Sequence, residues 1–85
     1  MSIDEIRDDV RLERITFGPH LVERMYANGI SIDQVLDVIL YGTVRKKEPD
    51  EHSEGRFNKY TINKGRITVT VKDCFPAFII TANRR

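Results

Sequence analysis

The sequence predicts an α+β domain, with N-terminal helices followed by a three- to four-stranded antiparallel sheet. Two observations carry that prediction. Thr16–Gly42 holds two consecutive apolar stripes at helical spacing, with stop signals at both ends. After Thr43 the period falls to two: in Arg66–Lys72, Ile67, Val69 and Val71 alternate with Arg66, Thr68, Thr70 and Lys72. A strand that is apolar on one face needs a cover, and so does each helical stripe. One sheet face and the helices are therefore expected to share a core. The other sheet face, bearing Thr68, Thr70 and Lys72, is left to solvent or to a partner.

Taken in order, Ser2 and Glu5 have capping-box spacing, and Ile3, Ile6 and Val10 recur at helical intervals. They predict a short helix over Asp4–Leu12, a frayed terminus being the alternative. Ile15–Phe17 is read as a brief strand or an extended lead-in. Gly18-Pro19 opens the central helix, where the missing proline N–H costs nothing, and Leu21, Val22, Met25 and Tyr26 form its apolar stripe. Asn28-Gly29 ends it, since both residues tolerate the left-handed conformation. Ser31-x-x-Gln34 is a second capping box, followed by the stripe Ile32, Val35, Leu36, Ile39, Leu40 and a stop at Gly42. Thr43–Glu48 reads as an edge strand whose lysines discourage further pairing, ended by Pro49. Asp50–Gly55 is a polar loop, Arg56–Asn63 a strand, and Asn63-Lys64-Gly65 a turn. Asp73–Pro76 turns into the apolar strand Ala77–Ala82, and Asn83–Arg85 is read as a mobile basic tail.

Hydrophobic residues make up 40% and charged residues 32% of the 85, the composition of a chain that folds. The length suits one domain over 1–85, with its core in about 15–82. Fourteen basic against thirteen acidic residues leave a net charge of +1. Proteins that live on phosphate backbones carry a clear basic excess, so any contact with RNA must come from local clusters. A single cysteine, Cys74, excludes an internal disulfide and fits a reducing compartment. No apolar run reaches spanning length and the first residues are not signal-like, so no membrane partner and a cytoplasmic location are expected. His20, His52 and Cys74 are scattered without CxxC or HxxxH spacing, and Asp50-Glu51-x-x-Glu54 lacks a calcium-loop pattern. No metal or other cofactor is expected. A phosphate-cradling glycine loop and a Gly-x-Ser-x-Gly elbow are also missing, which argues against nucleotide hydrolysis and acyl transfer.

Two groups of side chains suggest chemistry. His20 and Arg24 lie one helical turn apart. An imidazole there suits general acid–base work, and a neighbouring guanidinium suits a phosphate; the plain alternative is a pair of solvated helix residues. Lys59, Arg66 and Lys72 with Tyr60, Thr68 and Thr70 suit a cationic strand surface that holds RNA phosphates while Tyr60 stacks a base. Here the alternative is an ordinary solvated sheet face. Arg45, Lys46 and Lys47 add a local positive run. His52, among Asp50, Glu51 and Glu54, is read as exposed or as the second histidine of a nuclease pair.

The order Phe17-x-x-His20-x-x-x-Arg24-Met25, Gly29-Ile30-Ser31, Val35, Leu40-x-Gly42, with strands ending Ile79-Ile80-Thr81, resembles a bacterial family, domain-of-unknown-function family 4258. Asn28 stands where many members carry an arginine. That family is similar to the RelE/ParE-type toxins and the wider barnase–EndoU–colicin–RelE group of metal-independent ribonucleases. The resemblance implies two helices followed by an antiparallel sheet. It also implies His20 as acid or base, Arg24 as phosphate ligand and Thr81 as a polar group on the last strand. In the cleavage these residues suit, Lys72, Arg24 or Arg66 would offset the charge developing on the phosphate.

Two functions follow as expectations. One is a toxin-like RNA-binding domain acting as a metal-independent endoribonuclease of a toxin–antitoxin system, with RNA and a small antitoxin-like protein as partners. The other is a non-catalytic interaction module, a homodimer or regulatory partner, pairing through an exposed strand edge near Thr43–Glu48 or Ala77–Ala82.

Overall fold

Both predicted capping boxes form in a computed structural model of the chain, which describes residues 2–85. The Glu5 N–H donates to Ser2 Oγ (3.3 Å) and the Ser2 N–H to Glu5 Oε1 (3.1 Å). The same exchange joins Ser31 and Gln34 at 3.2 and 2.9 Å. These caps satisfy amide donors that a helix start leaves orphaned. They open α1 (Ile3–Arg11) and α3 (Ile32–Tyr41). Between them β1 (Ile15–Phe17) leads into α2 (Pro19–Asn28), which ends at Gly29 with φ of +63°. The remaining strands are β2 (Thr43–Pro49), β3 (Asn58–Lys64), β4 (Ile67–Lys72) and β5 (Ala77–Arg84), with a 3₁₀ turn at Glu51–Ser53.

The sheet has five strands in the order β1-β5-β4-β3-β2, and it is mixed. This corrects the expected three or four antiparallel strands. The β2–β3, β3–β4 and β4–β5 pairs are antiparallel, but β1 runs parallel to β5, with Ile15 beside Ala77 and Phe17 beside Ile79. Three residues are too few to show a period, and the partner strand lies at the far end of the sequence. Two further corrections follow from that pairing. β5 is an inner strand, so Ala77–Ala82 offers no open edge; β2 is an outer strand, as expected. Asn83 and Arg84 are not a loose tail, because they pair with Thr68 and Ile67 of β4. The third strand also begins at Asn58, two residues later than read, because the preceding loop folds back on itself.

The helices share one face of the sheet. α2 packs on β5, α3 on β3 and β4, and α1 on α3 and β5. Ile6, Leu21, Val35, Ile39, Ile62, Val69, Val71 and Ile79 are fully buried between the layers. Side chains of this size contribute roughly 1.5–3 kcal/mol each when buried, so packing rather than helix propensity holds these short helices. Two arginines finish them. Arg7 donates to the carbonyls of Ile39 and Gly42 (both 2.9 Å) at the end of α3, and Arg84 to those of Asn28 and Gly29 (both 3.1 Å) at the end of α2. Each guanidinium meets carbonyls that the helix leaves unpaired, at its negative pole.

α2 departs from its predicted stripe. Leu21 is buried and Met25 partly so, but Val22 is 60% and Tyr26 92% exposed. The helix packs mainly on β5, next to the short outer strand, so only one side of its apolar arc meets the sheet.

Candidate functional site

Strand register decides which side chains meet on the face the helices do not cover. Lys46 stands opposite Thr61, Thr61 opposite Thr70, and Thr70 opposite Thr81. A row Lys46–Thr61–Thr70–Thr81 therefore crosses four strands. The next row is Glu48–Lys59–Lys72–Phe78, and Asn63–Thr68–Asn83 forms the row on the other side. Between Thr70 and Val71 the register shifts, leaving Ile80 as an extra residue on β5. Bulges of this kind re-aim side chains. Here Ile80 joins Phe78, and the two put apolar area on an otherwise polar surface.

The lysines of this face each meet a carboxylate. Lys46 Nζ lies 3.2 Å and Lys59 Nζ 3.8 Å from Glu48, and Lys72 Nζ lies 3.0 Å from Asp50 Oδ2. The first two pairs are partly solvated, which limits their worth. The third is different, because Asp50 is only 3% exposed. Backbone bonds wrap the chain around it: its N–H donates to the Phe57 carbonyl (2.9 Å), and its carbonyl accepts the Ser53 hydroxyl (2.9 Å). Hydrogen bonding to Lys72 holds the Asp50 carboxyl below its ordinary pKa against the opposing effect of burial, helped by the Lys72 charge, Ser53 and the nearby His52. The Lys72 ammonium also sits 5.5 Å from the centre of the Phe57 ring.

Two adjoining concavities result. One, of about 320 Å³, is lined by His52, Ser53, Glu54, Arg56, Phe57 and Lys72. The other, of about 210 Å³, is lined by Asp50, His52, Lys72, Phe78 and Ile80. Local spacing did not show this cluster, since Asp50 and Lys72 are 22 residues apart in sequence. The available signal was the apolar run Ala77–Ile80, whose lack of alternation puts apolar side chains on the face that a half-buried strand leaves polar.

The other residues singled out from sequence are dispersed. His20 and Arg24 share a concavity of about 320 Å³ with Glu23 and Ala27, all four on α2. The His20 side chain is 81% exposed, and its Nδ1 lies 3.7 Å from a Glu23 carboxylate oxygen. The start of α2 is tied to β5 by the Gly18 N–H, which donates to the Ile79 carbonyl at 3.0 Å. Thr81, Thr70 and Thr68 lie on the open face with Lys59 and Lys72. Arg66 lies in the β3–β4 turn and is exposed. Tyr60 is 4% exposed and belongs to the core, with Lys47 over its ring at 5.4 Å, so it presents no stacking surface on the open face. On the other side of the molecule, Phe17, Val22, Met25, Tyr26, Ile30 and Ile32 line an apolar groove of about 490 Å³.

Among the described residues, no three His, Cys, Asp or Glu side chains gather as a metal would require, and no helix is long and apolar enough to cross a membrane. The family model described as a domain of unknown function, DUF4258, matches residues 17–84. The chain belongs to the DUF4258 family. The match runs from the last residue of β1 to the end of β5, so α1 stands outside the DUF4258 segment although Ile6 and Val10 are part of its core. No curated protein and no solved structure matches this DUF4258 chain.

Proposed function

We propose that this DUF4258 protein is a toxin-like RNA-binding domain related to the RelE/ParE toxins, and that it takes RNA on the uncovered sheet face. The observation that supports this most is the surface itself: three aligned threonine hydroxyls on β3, β4 and β5 beside the Lys59–Lys72 row. Hydroxyls and ammonium groups in that order suit a sugar–phosphate chain, which needs both donors and positive charge. Cleavage is the catalytic extension of the reading. In it a base takes the ribose 2′-hydroxyl proton, the 2′-oxygen attacks the adjacent phosphorus, and an acid protonates the departing 5′-oxygen. His20 would carry a proton, and Arg24, which lines the same concavity, would offset charge on the phosphate. Because His20 and Lys72 line different concavities, binding does not depend on this step.

The test is a gel shift with single-stranded RNA across a salt series, followed by a cleavage assay. Binding that weakens steeply with salt is expected, and loss of roughly 10²-fold or more in any cleavage on His20→Ala. No retardation at low salt would remove the RNA reading. Cleavage unchanged by His20→Ala would remove His20 from the chemistry.

The apolar groove beside Tyr26, together with the outer position of β2, supports a second reading: a non-catalytic interaction module, binding a second copy or a small antitoxin-like protein. A tight dimer in chromatography without affinity for RNA would favour it.

A further inference from the structure

The paired concavities around Lys72 differ in character in a way the rest of the open face does not. One is rimmed by donors: the Arg56 guanidinium, the Lys72 ammonium and the His52 imidazole, with Glu54 the acid on that rim. Asp50 does not compete for a ligand there, because its carboxylate is buried beneath Lys72. That contact uses one direction of the ammonium and fixes its position; a lysine has three donors, and the Lys72 side chain remains 21% exposed. The adjoining concavity is apolar on its far side, where Phe78 and Ile80 stand half-buried on a face otherwise made of threonine, asparagine, lysine and Glu48. Together the two spaces fall in the roughly 300–1,000 Å³ range of small-ligand sites.

We propose that this double concavity is a nucleotide subsite: His52, Arg56 and Lys72 hold a phosphate, and Phe78 with Ile80 seats the attached base. It deepens the RNA-binding reading, on which it rests, by naming one unit of the strand and the side chains that hold it. The geometry suits the ligand because a nucleotide joins an anion to a flat aromatic base whose faces stack on apolar and aromatic side chains. A guanidinium can grip two phosphate oxygens, an ammonium can supply a point charge, and an aromatic side chain can stack any base. The same chemistry is offered by a free nucleotide and by a nucleotide within RNA.

Two probes separate those sources: uridine 3′-monophosphate, followed by calorimetry, and a short fluorescein-labelled oligouridylate, followed by anisotropy. Arg56→Ala and His52→Ala change exposed residues and leave the fold intact. Arg56→Ala is expected to weaken both probes roughly tenfold and to lower the salt slope for the oligonucleotide by about one. Ile80→Ala is expected to weaken the nucleotide severalfold while leaving inorganic phosphate unchanged. If the oligonucleotide binds but neither Arg56→Ala nor Ile80→Ala alters it, the subsite is wrong and the RNA reading stands. If the nucleotide binds in an Arg56-dependent way and the oligonucleotide does not, the subsite stands and the RNA reading fails. If neither probe binds, both fall.

Discussion

Removing either half of the Asp50–Lys72 pair should destabilise the protein, and the two halves should differ. The Asp50 side chain is 4% exposed and the Lys72 side chain 21%. Breaking a fully buried pair costs about 3–5 kcal/mol, because a charge is left without compensation. Lys72→Met strands a buried carboxylate and should approach the lower end, about 3 kcal/mol. Asp50→Asn preserves shape, and the stranded ammonium can turn toward water, so about 1–2 kcal/mol is expected. At roughly 4–8 °C per kcal/mol for a chain of this size, the melting point should fall by about 12–24 °C and 4–16 °C respectively. An 85-residue domain holds about 4–13 kcal/mol in all, so both variants should still fold. The double variant should be more stable than the sum of the two losses implies, by about 1–3 kcal/mol of coupling. Urea unfolding followed by far-ultraviolet circular dichroism measures all four proteins. Losses below about 0.5 kcal/mol in both single variants, or coupling near zero, would show that the pair does not anchor the loop to the sheet.

Other perturbations follow from particular contacts. The Asp50 carboxyl titrates below its ordinary range in the fold, so its contribution is complete above about pH 4 and is lost as pH falls through the lowered native value; Lys72→Met should flatten that acid-side loss in unfolding curves taken at several pH values. Gly42→Ala would place a methyl group 2.8 Å from both the Asn63 carbonyl and Ile62 Cγ2, and is expected to cost about 1–3 kcal/mol by thermal unfolding although its φ of −80° is ordinary. Arg7→Ala removes two hydrogen bonds from the end of α3 and should cost about 1–3 kcal/mol, with Arg7→Lys restoring only part of it.

The helices were legible in the sequence because their signals are local. Ser2 and Ser31 with Glu5 and Gln34, Pro19, Gly29 and Gly42 all act within a few residues of themselves. So was the alternation in Ile67–Lys72. Pairings between distant segments leave no such trace. β1 is three residues long and meets β5 from the other end of the chain, and Asp50 finds Lys72 only once β2, β3 and β4 are in register. The arginine caps from Arg7 and Arg84 are likewise set by packing, not by spacing. Tyr60, by contrast, was legible too: adjacent strand residues point to opposite faces, so it cannot share the open face with Lys59, and it alternates in step with Ile62, as its pairing with Val71 shows.

An amide-resolved NMR titration of the ¹⁵N-labelled protein with single-stranded RNA tests the central claim most directly. Shifts concentrated at His52, Arg56, Lys59, Thr70, Lys72 and Thr81, with the apolar groove around Tyr26 undisturbed, are the expected result. Shifts gathered along α2 or β2 alone, or none at low salt, would contradict it.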